Sequence, residues 1–170
     1  MAKTIIWTVV FGFLAAVIQS TLLSRLAVYG AIPDIALGII VYSAYVNGMM
    51  VGQLSGFFYG FALDILTVAP PGLNSLVRTI IGALAGLMKG KFFLDTFALP
   101  MILCALATLM KAVILFLLSI IFMDTVPSYS FTAPTLWMEM ALNTFIAPFL
   151  FALLKRFSPL LAERKKYDSA

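Results

Sequence analysis

Long apolar segments follow one another along the chain, separated by short stretches that contain charges, glycine or proline. Their boundaries predict six transmembrane helices, at about residues 4–23, 35–50, 51–69, 73–88, 97–122 and 134–154. A bilayer core about 30 Å thick requires roughly 20 apolar residues per helix, so the second segment is short, and five spans remain if it re-enters instead of crossing. We predict an all-α integral membrane protein, a six transmembrane helix bundle, with a single polytopic domain over residues 1–170.

The first two segments begin in different ways. Lys3 precedes a long apolar run, as in a secretory signal, but the run exceeds the roughly 7–15 residues of a signal core and lacks a small-x-small cleavage site. We interpret it as a retained helix. Pro33 and Asp34 precede the second segment, where proline suits the first helical turn and an acidic side chain suits the positive end of the helix.

Small residues recur at every fourth position in the third and fourth segments. The stripes consist of Gly52, Gly56 and Gly60 leading to Asp64, and of Gly82, Gly86 and Gly90 following Arg78. Residues four apart share one helix face, and Pro70-Pro71-Gly72 between the segments predicts a tight turn. We therefore predict an antiparallel hairpin that packs closely through its glycine faces, with Asp64 paired to Arg78.

Charged side chains interrupt four of the apolar segments, and they are Asp64, Arg78, Lys111 and Glu139. An isolated charge at mid-bilayer costs several kcal/mol, so these groups must be paired, hydrated or close to an interface. In a structural interpretation, Asp64 pairs with Arg78 and Lys111 with Glu139, and Asn143 extends the second network. In a functional interpretation, some of them line an outward-facing cavity that binds a solute or a lipid headgroup.

The composition argues against catalysis and against nucleic acid as a partner. The chain is 63% hydrophobic and 11% charged, has a single cysteine, Cys104, and contains no histidine. It has no recognisable metal-binding, phosphate-cradling or Ser/Cys–His motif, so we expect no metal, no cofactor and no enzymatic activity. Asp64 and Glu139 are unsuitable as an intramembrane aspartyl pair, because an adjacent Arg78 would keep Asp64 ionised.

The positive residues outside the segments predict the orientation. Those that fall on one side of a six-helix arrangement are Lys3, Lys89, Lys91, Lys155, Arg156, Arg164, Lys165 and Lys166. The other side receives Arg25. The positive-inside rule then predicts that both termini are cytoplasmic and that residues 24–33 and 123–133 are external. The basic C-terminal residues would face anionic membrane lipids.

The order of motifs resembles the bacterial rod shape-determining family MreD. The resemblance lies in Pro33-Asp34-Ile35, in the glycine stripe ending at Asp64, and in Pro71-Gly72-Leu73-Asn74, and it covers residues 32 to about 90. It implies a non-enzymatic inner-membrane scaffold subunit of the cell-elongation and peptidoglycan synthesis machinery. The implied partner is the bitopic protein MreC, working with MreB, RodA and a class B penicillin-binding protein.

The resemblance also implies a bundle similar to the substrate-binding S-components of energy-coupling-factor vitamin transporters. An S-component is therefore the alternative function, in which Asp64, Arg78 or Glu139 would hold a vitamin. A structural or lipid-binding scaffold unrelated to either family is a third. For a scaffold, the aromatic residues around the glycine stripe, Phe57, Phe58, Tyr59 and Phe61, would form a surface for the partner or would face lipid.

Overall fold

The computed structural model describes residues 1–21, 30–67, 70–90, 97–122 and 131–162. The regular elements in these ranges are all α-helices. They are α1 (Ala2–Thr21), α2 (Ile35–Asn47), α3 (Met49–Leu66), α4 (Leu73–Leu87), α5 (Ala98–Phe122), α6 (Pro134–Arg156) and the short α7 (Ser158–Leu161).

Four of these helices, α1, α3, α5 and α6, are long and apolar enough to cross a membrane. In the described ranges the regular structure is thus helical, and the helices are those of a multi-pass membrane protein. Helices α2 and α4 are apolar but shorter, so their crossing of the bilayer stays a prediction. Gly48 separates α2 from α3 and has φ +106°, a conformation that residues with a Cβ rarely adopt. The second segment therefore ends before residue 50.

Helix α2 lies at the centre of the bundle. Every residue from Ala36 to Ala44 is buried, which agrees with an apolar sequence that has no polar face. The other helices, apart from the short α7, pack around α2 in the order α1, α3, α4, α5 and α6. Near the end of α2, α7 contacts both α1 and α6, and the Asn47 side-chain amide donates to the carbonyl oxygen of Leu161 at 2.7 Å.

The α3–α4 hairpin packs backbone against backbone. A Cβ added at Gly52 would overlap the carbonyl oxygen of Gly82, and one added at Gly82 would overlap that of Gly52. Three further glycines lie against opposing backbone in the same way: Gly56 against Arg78, Gly60 against Asn74 and Ser75, and Gly86 against Met49. This close approach is the usual reason for small residues every fourth position in membrane helices.

Gly90 does not take part in this packing. Helix α4 ends at Leu87, and Gly90 lies beyond it with φ +71° and no atom within 4 Å of a Cβ built there. The four-residue spacing keeps a residue on the packed face only while the chain is helical. The prediction for Gly90 is therefore wrong, because the helix stops before reaching it.

Candidate functional site

Asp34 is the residue around which the buried charges gather. It is the N-cap of α2, and its Oδ1 accepts a hydrogen bond from the backbone N–H of Leu37 at 3.0 Å. Its own backbone N–H donates to Oδ1 of Asn143 on α6 at 2.7 Å. The Asn143 side-chain amide in turn donates to the hydroxyl of Thr108 on α5 at 2.8 Å. The carboxylate is thus held at the start of the central helix.

Two cations converge on the Asp34 carboxylate. Nη2 of Arg78, from α4, lies 3.1 Å from Oδ2, and Nζ of Lys111, from α5, lies 3.1 Å from the same oxygen. Lys111 also forms an ion pair of 2.6 Å with Oε1 of Glu139 on α6. The cluster thus joins two carboxylates and two cations from four helices. Mutual pairing is what allows such charges to exist inside an apolar bundle.

Asp64 belongs to a different arrangement. Its carboxylate accepts from the backbone N–H groups of Gly72, Asn74 and Ser75 at 2.9–3.1 Å, and from the Asn74 side-chain amide at 3.0 Å. The first N–H groups of a helix have no acceptor within it, and Gly72, the N-cap of α4, has no side chain to supply one. Asp64 therefore caps α4 from the neighbouring helix.

The predicted pairing of Asp64 with Arg78 is corrected by this geometry. The two residues lie on adjacent helices, but the Arg78 guanidinium forms its ion pair with Asp34, on the central helix. It also lies over the ring of Tyr59, 4.8 Å from the ring centroid, in a cation–π contact. Four-residue spacing shows which residues share one face of a helix. It does not show which other helix that face contacts.

A cavity of about 390 Å³ adjoins the charge cluster. Its polar lining residues include Gln19, Asp34, Tyr59, Arg78, Lys111 and Glu139. Within the described ranges, no group of three or more carboxylate or thiol side chains is placed to hold a metal ion. The polar side chains at this cavity offer ion pairing and hydrogen bonding.

An apolar groove of about 480 Å³ runs between α1 and α6. Leu14 and Ile18 of α1 and Leu153 of α6 line its sides, and Ile35 and Ile39 of α2 lie within it. The groove thus lies between the first and the last of the helices that pack around α2.

The chain was compared with protein families, with curated proteins and with solved structures. The family model described as rod shape-determining protein MreD matches residues 1–157. The chain belongs to the MreD family. The resemblance seen in residues 32 to about 90 is thereby confirmed and extended over most of the sequence. The searches of curated proteins and of solved structures each returned no match.

Membership of the MreD family defines the broad biological role. The protein takes part in rod-shape determination and is associated in general terms with the machinery that performs it. MreD proteins are shape-determining membrane proteins and are not a known enzyme family.

Two residues that belong to the charge cluster or contact it are not identified by the sequence patterns. Asp34 was interpreted only as the start of a helix, although an acidic residue beside proline inside a family motif was a signal for more. Tyr59 was grouped with surface aromatics, but it is only 1% exposed and supports Arg78. Its position between Gly56 and Gly60, on the packed side of α3, was the available signal.

Proposed function

We propose that this protein is a non-enzymatic scaffold subunit of the bacterial cell-elongation machinery in the inner membrane. In this proposal it binds the transmembrane helix of an MreC-type bitopic protein, within an assembly that includes MreB, RodA and a class B penicillin-binding protein. The observation that carries the proposal is the match to the MreD family over residues 1–157.

The partner-binding surface that we propose is an aromatic stripe on α3. Phe57, Phe61 and Ile65 recur every fourth residue, Phe58 lies beside them, and all four side chains are exposed. The rings of Phe57 and Phe61 stack with centroids 6.3 Å apart. Transmembrane helices associate mainly through close van der Waals packing, for which a rigid aromatic ridge is suited. The glycine-packed hairpin behind the stripe keeps the ridge in place.

Replacing both Phe57 and Phe61 by alanine is expected to reduce co-purification of an MreC-type partner by at least about tenfold, because the ridge loses both rings. The matched control replaces Phe116 and Phe131, an exposed pair outside the groove whose ring centroids are 5.3 Å apart. The control should retain the partner. Equal retention by both variants would place the partner elsewhere on the protein, and failure of the unmodified protein to co-purify it would refute the scaffold proposal.

The charged cavity is the one observation that favours the S-component alternative. Its volume of about 390 Å³ lies in the range of pockets for small ligands. Depletion of the protein should round a rod-shaped cell if it is a scaffold. Normal cell shape, with loss of uptake of a vitamin that the purified protein binds, would support the S-component instead.

For the orientation, we propose that all six apolar helices cross the membrane and that both termini are cytoplasmic. Single cysteines introduced at Thr132 and at Arg156, both exposed, test this in a Cys104→Ala background. An impermeant thiol reagent added to intact spheroplasts should label Thr132→Cys and spare Arg156→Cys. The reverse pattern would contradict the proposed orientation.

A further inference from the structure

Among the described residues that line the cavity, the formal charges cancel. Asp34 and Glu139 supply two negative charges, and Arg78 and Lys111 supply two positive charges, all within one set of ion pairs. A ligand with a single charge would leave this apolar region with an uncompensated charge, which is costly. A ligand that carries one charge of each sign would preserve the balance.

Unused hydrogen-bond donors face the same region. A guanidinium has five N–H donors, and Asp34 is the only described residue that accepts from that of Arg78. The Tyr59 side chain lines the cavity, is 1% exposed, and its hydroxyl has no hydrogen-bond partner in the described part of the chain. Arginine and a hydroxyl together are suited to the oxygens of a phosphate group.

The charged cavity and the apolar groove are lined by neighbouring residues on α1 and at the start of α2. On α1, Gln19 lines the cavity, and the preceding Ile18 lines the groove. At the start of α2, the N-cap Asp34 lines the cavity, and Ile35, the first residue of the helix, lines the groove. On α6, Glu139 lines the cavity, and residues from Ile146 to Phe157, about two turns further along, line the groove. A polar cavity thus lies close to an apolar groove between α1 and α6, two helices that are long and apolar enough to cross a membrane.

We propose that this pair of compartments binds one zwitterionic phospholipid. The cavity receives a headgroup with a phosphate and a primary ammonium, and the groove between α1 and α6 receives an acyl chain. The phosphate accepts from Arg78 and the Tyr59 hydroxyl, and the ammonium lies toward the carboxylate side of the cluster. Phosphatidylethanolamine has this chemistry. The inference does not depend on the partner proposed above.

Binding of defined compounds to the purified protein in detergent, followed by native mass spectrometry, tests the ligand class. Phosphatidylethanolamine should bind at least about tenfold more tightly than phosphatidylglycerol with the same chains, because the latter lacks the ammonium. It should also bind at least about tenfold more tightly than glycerophosphoethanolamine, which has the headgroup without chains. Equal binding of phosphatidylglycerol, equal binding of the soluble headgroup, or no binding of phosphatidylethanolamine would each overturn the proposal.

Two variants test the location of the lipid. Tyr59→Phe keeps the ring beneath Arg78 but removes the hydroxyl, and should weaken phosphatidylethanolamine binding by about tenfold, as expected for a hydrogen bond to a charged group. Leu153→Trp should fill the groove and weaken lipid binding similarly. Its control is Leu117→Trp on α5, an exposed position that does not line the groove.

Both Tyr59→Phe and Leu153→Trp should leave the thermal melting temperature unchanged, so that weaker binding is not a result of unfolding. Unchanged lipid affinity in either variant would overturn the assignment of the site. If Leu153→Trp kept its lipid but lost the MreC-type partner, the groove would hold the partner helix, and the lipid proposal would be wrong while the scaffold proposal stood.

Discussion

Replacing Gly82 by leucine should prevent the protein from folding into its closely packed bundle. Even a Cβ at this position would overlap the carbonyl oxygen of Gly52, and backbone atoms cannot move aside as the end of a side chain can. Overpacking of cores costs about 1–3 kcal/mol and sometimes more, and here the whole α3–α4 contact must open. We expect Gly82→Leu to lose the monodisperse peak in size-exclusion chromatography in detergent.

The control for this prediction is Ala152→Leu on α6, which adds a side chain of similar size at an exposed position. It should elute and melt like the unmodified protein. Gly52→Leu should behave as Gly82→Leu does, because the two glycines face each other. Normal elution and melting of Gly82→Leu would mean that the two helices do not approach as closely as described.

Replacing Asp34 by asparagine should destabilise the protein strongly. Removing one partner of a buried ion pair typically costs about 3–5 kcal/mol, because the other charge remains buried, and Asp34→Asn would leave Arg78 in this state. The double variant Asp34→Asn/Arg78→Gln should be less unstable than the sum of the two single effects. The expected coupling is about 0.5–3 kcal/mol, measured as unfolding free energy in a double-mutant cycle.

A second cycle with Asp64→Asn and Arg78→Gln is the matched control. No hydrogen bond or ion pair joins these two side chains among the described contacts, so their effects should add within about 0.3–0.5 kcal/mol. If the Asp64 cycle showed coupling and the Asp34 cycle showed none, the pairing first predicted from the sequence would be correct.

The two pairings tested in these cycles show what sequence patterns can and cannot determine. Glycine spacing in α3 and α4 is a local property, and together with the Pro70-Pro71-Gly72 turn it indicated which faces of the hairpin meet. The partner of Arg78 depends on how α4 is rotated toward α2, and no spacing within either helix contains that information. The end of α4 at Leu87 was likewise beyond the four-residue pattern, which continued to Gly90.

The sequence predicts only part of the candidate site, because contacts between helices do not follow from the spacing within one helix. The sequence predicts that Lys111 and Glu139 face each other, because they lie on consecutive antiparallel helices. In the structure, Nζ of Lys111 lies 2.6 Å from Oε1 of Glu139. Asp34 was missed as a charge partner because it precedes its helix, where a capping role was a sufficient explanation. Residues of five helices and the N-cap of α2 line the cavity, so it has no counterpart in any single segment.

The composition of the charge cluster has a consequence for synthesis of the protein in the membrane. Asp34 is made with α2, whereas its cationic partners are made later, with α4 and α5, and Glu139 and Asn143 follow only with α6. In a chain that has not yet completed α6, Lys111 therefore lacks its ion pair with Glu139. The backbone N–H of Asp34 likewise lacks its acceptor, Oδ1 of Asn143. The charges are fully compensated only once α6 is in place. A truncated chain that lacks α6 therefore differs from a finished one in having an uncompensated charge in the cluster.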